Sequence, residues 1–201
     1  MKRLTLEERV MRDDARSYVG CGNLKLGNDT LTFNMTPATD CPSRNLGLCK
    51  VGKKCYALKA EKTWKNVLPY RVKQSILWDV ITAKEFVEMV LATRRKNIKY
   101  LRINEAGDFR CQADVEKLNV IAKELKLIGI TTYLYTARTD LVFKDCEFVL
   151  NGSSWMADNE FRYIPKGTKP GLDVNFICPG DCRTCNLCKS KSGLIIGVEA
   201  H

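Results

Sequence analysis

The sequence predicts an α/β protein, a partial (β/α) barrel on a largely parallel sheet, with an N-terminal β-hairpin and Cys-rich loops. Three observations predict it. Between Ile98 and Gly152 the pattern runs strand, helix, strand, strand, which favours parallel pairing. Two further strand-like stretches flank a run of four cysteines near the C-terminus. The chain has 201 residues, 45% of them apolar, which suits one domain with a sizeable core.

The elements follow in order. Asn23–Met35 alternates on both sides of Gly27-Asn28-Asp29 and predicts a hairpin over about 20–36. A Cys-rich loop over 36–55 follows. A helical region over about 56–96 is expected to break near Pro69, and Thr82 with Glu85 forms a capping-box signature. Ile98–Asn104 reads as a buried strand. Val115, Leu118, Ile121, Leu125 and Ile128 recur at helical spacing, with Gly129 as the stop. Ile130–Thr136 is rich in β-branched and aromatic residues and reads as a strand. Glu147–Gly152, Leu172–Ile177 and Gly193–Ala200 complete the strands.

Strands in such sheets direct their C-terminal ends to one face, where sites form. The polar residues after the strands are therefore the candidate pocket. Glu105, Asp108 and Arg138 are the catalytic candidates, as acid–base groups and as a bidentate clamp for a carboxylate or phosphate. Arg102, Asn104, Tyr135, Thr136, Asn151, Ser153 and Ser154 are the substrate-binding candidates.

Ten cysteines are present. Cys178, Cys182, Cys185 and Cys188 are spaced C-x3-C-x2-C-x2-C among turn-forming residues, so short steps wrap the backbone round one centre in a segment over about 176–190. A 4Fe–4S cluster accepts four thiolates in this way; zinc is the alternative metal. Cys41, Cys49 and Cys55 supply three further thiolates. They fit three corners of a second cluster with its fourth iron open, or ligands shared with the C-terminal run, or a loop with incidental thiols. Lys50, Lys53, Lys54, Lys59 and Lys62 lie beside them and would offset cluster charge. Cys21, Cys111 and Cys146 read as small buried apolar residues of the core. The only histidine is His201, so triads and His-rich metal sites are excluded.

The charged N-terminus has no signal-peptide core, and no apolar run is long enough to span a membrane. The expected location is the cytoplasm, where clustered thiols stay reduced and bind metal. The net charge of +10 suits a small anionic substrate or a nucleic acid. Arg94, Arg95, Lys96 and Lys99, and Arg183, Lys189 and Lys191, form basic patches. A redox-active cluster would also need an electron donor.

At Cys55-Tyr56-Ala57 the sequence resembles the phage gene product 88 family. The order of the Cys-rich loop, RINEAGDF, YTAR, NGSSW and the terminal Cys run carries that resemblance, from about Cys41 to Cys188. It implies a phage-encoded protein in the host cytoplasm. The Cys loop followed by β/α units is more distantly similar to radical S-adenosylmethionine proteins. That resemblance implies an enzyme with a partial barrel, a 4Fe–4S cluster at the strand ends, and S-adenosylmethionine as cofactor. Two departures stand beside it. The N-terminal triad is spaced C-x7-C-x5-C, and the C-x3-C-x2-C hallmark occurs only at Cys178, Cys182 and Cys185.

Overall fold

The computed structural model describes residues 14–93 and 97–199. Arg94, Arg95, Lys96 and His201 lie outside the described residues. Seven strands form one sheet in the order β1-β2-β3-β4-β5-β7-β6. They are β1 (Thr30–Phe33), β2 (Tyr100–Ile103), β3 (Thr131–Thr136), β4 (Val149–Ser153), β5 (Asn159–Ile164), β6 (Phe176–Ile177) and β7 (Ile195–Glu199). Every neighbouring pair is parallel, so all C-terminal strand ends share one rim. The open, all-parallel sheet is the expected barrel-like α/β fold.

Successive strand residues face opposite sides of a sheet. One face carries Leu31, Phe33, Leu101, Ile103, Leu134 and Leu150, all buried in the main core. The helices α3 (Val67–Val80), α4 (Ala83–Thr93) and α5 (Gln112–Leu127) contribute the other half of that core, chiefly Trp78, Phe86, Leu118 and Leu125. Phe33, Trp78 and Phe86 meet edge-on or tilted at 4.9–6.0 Å. Burial of each such side chain stabilises by about 1.5–3 kcal/mol. The opposite face carries Arg102, Tyr133, Tyr135, Asn151, Asn159 and Phe161, which align across β2 to β5 by register.

Two short helices, α1 (Pro42–Asn45) and α2 (Tyr56–Thr63), bracket the N-terminal Cys loop. The helical region breaks at Trp64–Asn66 and not at Pro69. Pro69 lies in the first turn of α3, where its missing N–H has no helical partner to lose. The capping box is present: the Thr82 N–H donates to Glu85 Oε2 at 2.8 Å, and the Glu85 N–H donates to Thr82 Oγ1 at 3.2 Å. Thr82→Ala should lower stability by about 1 kcal/mol, seen as a lower urea midpoint at unchanged m-value.

The expected hairpin is not formed. Asn23 Oδ1 accepts the N–H groups of Lys25 and Leu26 at 2.9 Å, which curls Asn23–Gly27 into a turn. β1 instead pairs in parallel with β2, and Gly20 makes an isolated antiparallel bridge to Thr32. β5 was not predicted. It follows β4 after a connection over 154–158 that runs tightly across Gly152, where a Cβ would collide with the Trp155 carbonyl. β6 keeps only two of the residues expected over 172–177.

Candidate metal centre

Cys41 is the residue before α1 and Cys55 the residue before α2. Cys49 lies between them and donates its N–H to the Ser43 carbonyl at 3.1 Å. Buried carboxylates pin this loop. Glu61 on α2 accepts the N–H groups of Ala38 at 2.6 Å and Thr39 at 2.9 Å, and is paired with Arg71 at 2.9 Å. Asp108 accepts the Ser43 hydroxyl, the Thr136 hydroxyl at 2.6 Å and the N–H groups of Phe109 at 2.8 Å and Ala137 at 3.0 Å. Burial pushes the Asp108 carboxyl up despite these four bonds. Burial also pushes the Cys41 thiol up to about 11, and Cys49 is close enough to add to the shift.

Asn104 and Gly107 shape the loop after β2. Both have positive φ, and a Cβ at Gly107 would strike the Thr36 backbone. The turn thereby presents Glu105 to the rim. Glu105 accepts from Asn23 Nδ2 at 3.0 Å, its carbonyl accepts the Tyr56 hydroxyl at 2.7 Å, and Arg102 stands 4.0 Å away.

The four-cysteine run connects β6 to β7 and lies over the helix-free face of the sheet. Asn151 Nδ2 donates to the Cys188 carbonyl at 2.9 Å, and Asn159 Nδ2 donates to the Ser190 carbonyl at 2.8 Å. Asn159 Oδ1 accepts the Ser192 N–H at 3.0 Å. Cys182 donates its N–H to the Lys25 carbonyl at 2.9 Å, and its own carbonyl accepts Lys189 Nζ at 3.0 Å. Burial pushes the Cys188 thiol up to about 11; a hydrogen bond with Tyr135 opposes this, and Cys178, Cys182 and Cys185 reinforce it. The other three cysteines therefore lie within electrostatic reach of Cys188.

Both cysteine groups open onto one cavity of about 960 Å³, which Cys41, Cys49, Cys55, Cys178, Cys182, Cys185 and Cys188 all line. Cys21, Cys111 and Cys146 are not among its walls, and Cys21 and Cys111 are exposed and not in the core. Arg102, Asn104, Glu105, Asp108, Tyr135, Ser153 and Ser154 also line it. Thr136, Arg138 and Asn151 do not. Thr136 faces the helix side and binds Asp108. Arg138 is clamped to Asp140 at 2.7 and 2.8 Å and to the carbonyls of Phe109 and Arg110. Asn151 is fully buried beneath the Cys run.

The donor set fits a sulfur-rich anion. Arg102 Nε and Tyr133 Oη, on the face that carries the Cys run, are buried without a hydrogen-bond partner. Among the described residues no three Cys, His, Asp or Glu side chains are close enough to share a single metal ion. A cubane gives each thiolate its own iron.

Tyr133 was missed by the sequence reading, although it lies two residues before Tyr135 and so shares its face. Glu61 and Arg71 were also missed, and no local spacing links them.

The gene product 88 family model matches residues 9–168. The chain belongs to the gene product 88 family. The match takes in the triad Cys41, Cys49 and Cys55 and the NEAGD turn, but it stops before Cys178. The gene product 88 resemblance expected as far as Cys188 thus excludes the four-cysteine run. No curated protein and no solved structure matches the chain. Among the described residues, no helix of this gene product 88 protein is long and apolar enough to cross a membrane.

Proposed function

We propose that this gene product 88 protein is an iron–sulfur enzyme acting on a small anionic or nucleotide-like substrate. Cys178, Cys182, Cys185 and Cys188 hold one 4Fe–4S cluster. Cys41, Cys49 and Cys55 hold three corners of a second. One observation carries the reading: two cysteine groups from distant parts of the chain line the same cavity, and the three scattered cysteines do not.

Bound clusters would supply one-electron transfer, and a corner without a thiolate would supply a Lewis-acidic iron to substrate. The chain supplies the rest. Lys25, Lys50, Lys54, Lys59 and Lys166 are exposed and line the cavity, so its mouth attracts anions. Asp108, a buried carboxylate of the cavity wall, is fully hydrogen-bonded and positions Ser43 beside the triad; it is a positioning residue. Glu105 remains the acid–base candidate, because it is partly exposed on the cavity wall.

Protein purified without oxygen should be brown, bleach with dithionite, and carry about eight iron and eight sulfide per chain. Cys55→Ala and Cys185→Ala should each remove about half. Deoxyadenosine released from S-adenosylmethionine after reduction tests whether that cofactor is the substrate-side partner. Colourless protein carrying zinc without sulfide, retaining labelled DNA in a salt-dependent way, overturns the reading in favour of a metal-stabilised nucleic-acid-binding protein.

A further inference from the structure

We propose that Arg102 and Tyr133 are the hydrogen-bond donors that set the reduction potential of the centre held by the four-cysteine run. The inference rests on reading Cys178, Cys182, Cys185 and Cys188 as a cluster site.

Arg102 on β2 and Tyr133 on β3 are register partners, so their side chains leave the same face of the sheet. That face lies under the loop carrying the four cysteines. Tyr133 is 1% exposed, yet its hydroxyl has no partner, and neither has Arg102 Nε. Buried polar atoms are rarely left unpaired. Among the described residues the third such atom, Thr132 Oγ1, is on the opposite face, so the two beneath the Cys run are the ones its cysteines can reach.

Their surroundings say what kind of group. Arg102 and Lys25 are within electrostatic reach of Cys182, and Cys182 and Cys188 are within reach of Tyr133. Tyr135, whose ring lies 5.1 Å from the Arg102 guanidinium, is within electrostatic reach of Cys188. Lys189 also faces Cys182, but its ammonium is engaged by the Cys182 carbonyl at 3.0 Å and the Tyr100 ring at 4.1 Å. Glu105 offsets part of the Arg102 charge from 4.0 Å. The two free donors therefore await an acceptor rich in negative charge on the sulfur side. Sulfides and thiolates of a cluster are such acceptors. They gain charge on one-electron reduction, so N–H and O–H donors favour the reduced state and raise the potential.

The test is a potentiometric titration of the loaded full-length protein, followed by electron paramagnetic resonance. The signal of the four-cysteine centre is assigned as the one lost in Cys185→Ala. At the wild-type midpoint, Arg102→Gln should lower the reduced-to-oxidised ratio about tenfold, a shift of about 59 mV to lower potential for one electron. Tyr133→Phe should lower the ratio severalfold. Iron and sulfide content should match wild type in both variants.

Unchanged midpoints with full iron and sulfide overturn this inference and leave the cluster reading intact. Loss of the centre from both variants, with the far-ultraviolet circular dichroism of wild type, also overturns it, because the residues would then hold the centre and not tune it. A wild-type protein free of iron and sulfide overturns the cluster reading itself.

Discussion

Replacing Glu61 with alanine should lower stability by about 3–5 kcal/mol, because it strands a buried guanidinium. The Glu61 side chain is 0% exposed and that of Arg71 is 9% exposed. Arg71 Nη1 would keep only the Ala57 carbonyl at 3.1 Å, and the N–H groups of Ala38 and Thr39 would lose their acceptors. The damage falls on the segment that enters Cys41 and on α2, which leaves Cys55. Iron held by the triad should therefore fall with the urea midpoint. Glu61→Gln keeps one carbonyl oxygen and should lose less. A loss below about 1 kcal/mol for Glu61→Ala, the level of an exposed pair, would show that the loop does not depend on this carboxylate.

Most of the sheet was legible because its strands carry strong local signals. Ile103 and Leu134 alternate with Arg102 and Tyr133, and α5 shows unbroken helical spacing. The hairpin was misread because Leu24 and Leu26 mimic a strand. Leu24 is 93% exposed, and the side chain of Asn23 closes the turn that a ladder would otherwise have replaced. β5 gave no signal because Asn159, Glu160 and Arg162 interrupt its apolar residues. Its polar positions are satisfied by partners no strand pattern shows: Asn159 by the Cys loop, and Arg162 by Glu160 on the same strand at 2.6 Å and by Asp173 at 2.5 Å. The cysteine groups were legible from spacing. The pocket was legible only where strand parity was respected. Tyr135 and Thr136 are adjacent, so they face opposite sides, and only the first reaches the cavity. Asn151 faces the correct side, but nothing in sequence shows that the Cys run settles over it.

Asn159→Ala should cost on the order of 3 kcal/mol and release the four-cysteine run while leaving the triad in place. The Asn159 side chain joins Asn151 Oδ1 at 3.0 Å, the Ser190 carbonyl at 2.8 Å and the Ser192 N–H at 3.0 Å, all from a position 0% exposed. Its loss leaves each of these groups short of a bond, at about 1–3 kcal/mol for one left unsatisfied. Trypsin reports the release directly. Lys189 is 7% exposed in the native loop and should become cleavable in the variant. Paired with Glu61→Ala, the change also separates two arrangements of the cysteines. The two networks share no residue, so in metal-free protein their costs should add within about 0.5 kcal/mol. The same additivity in loaded protein is expected if each cysteine group holds its own cluster. A coupling that appears only with metal bound would mean that the triad and the four-cysteine run ligate one shared centre across the cavity.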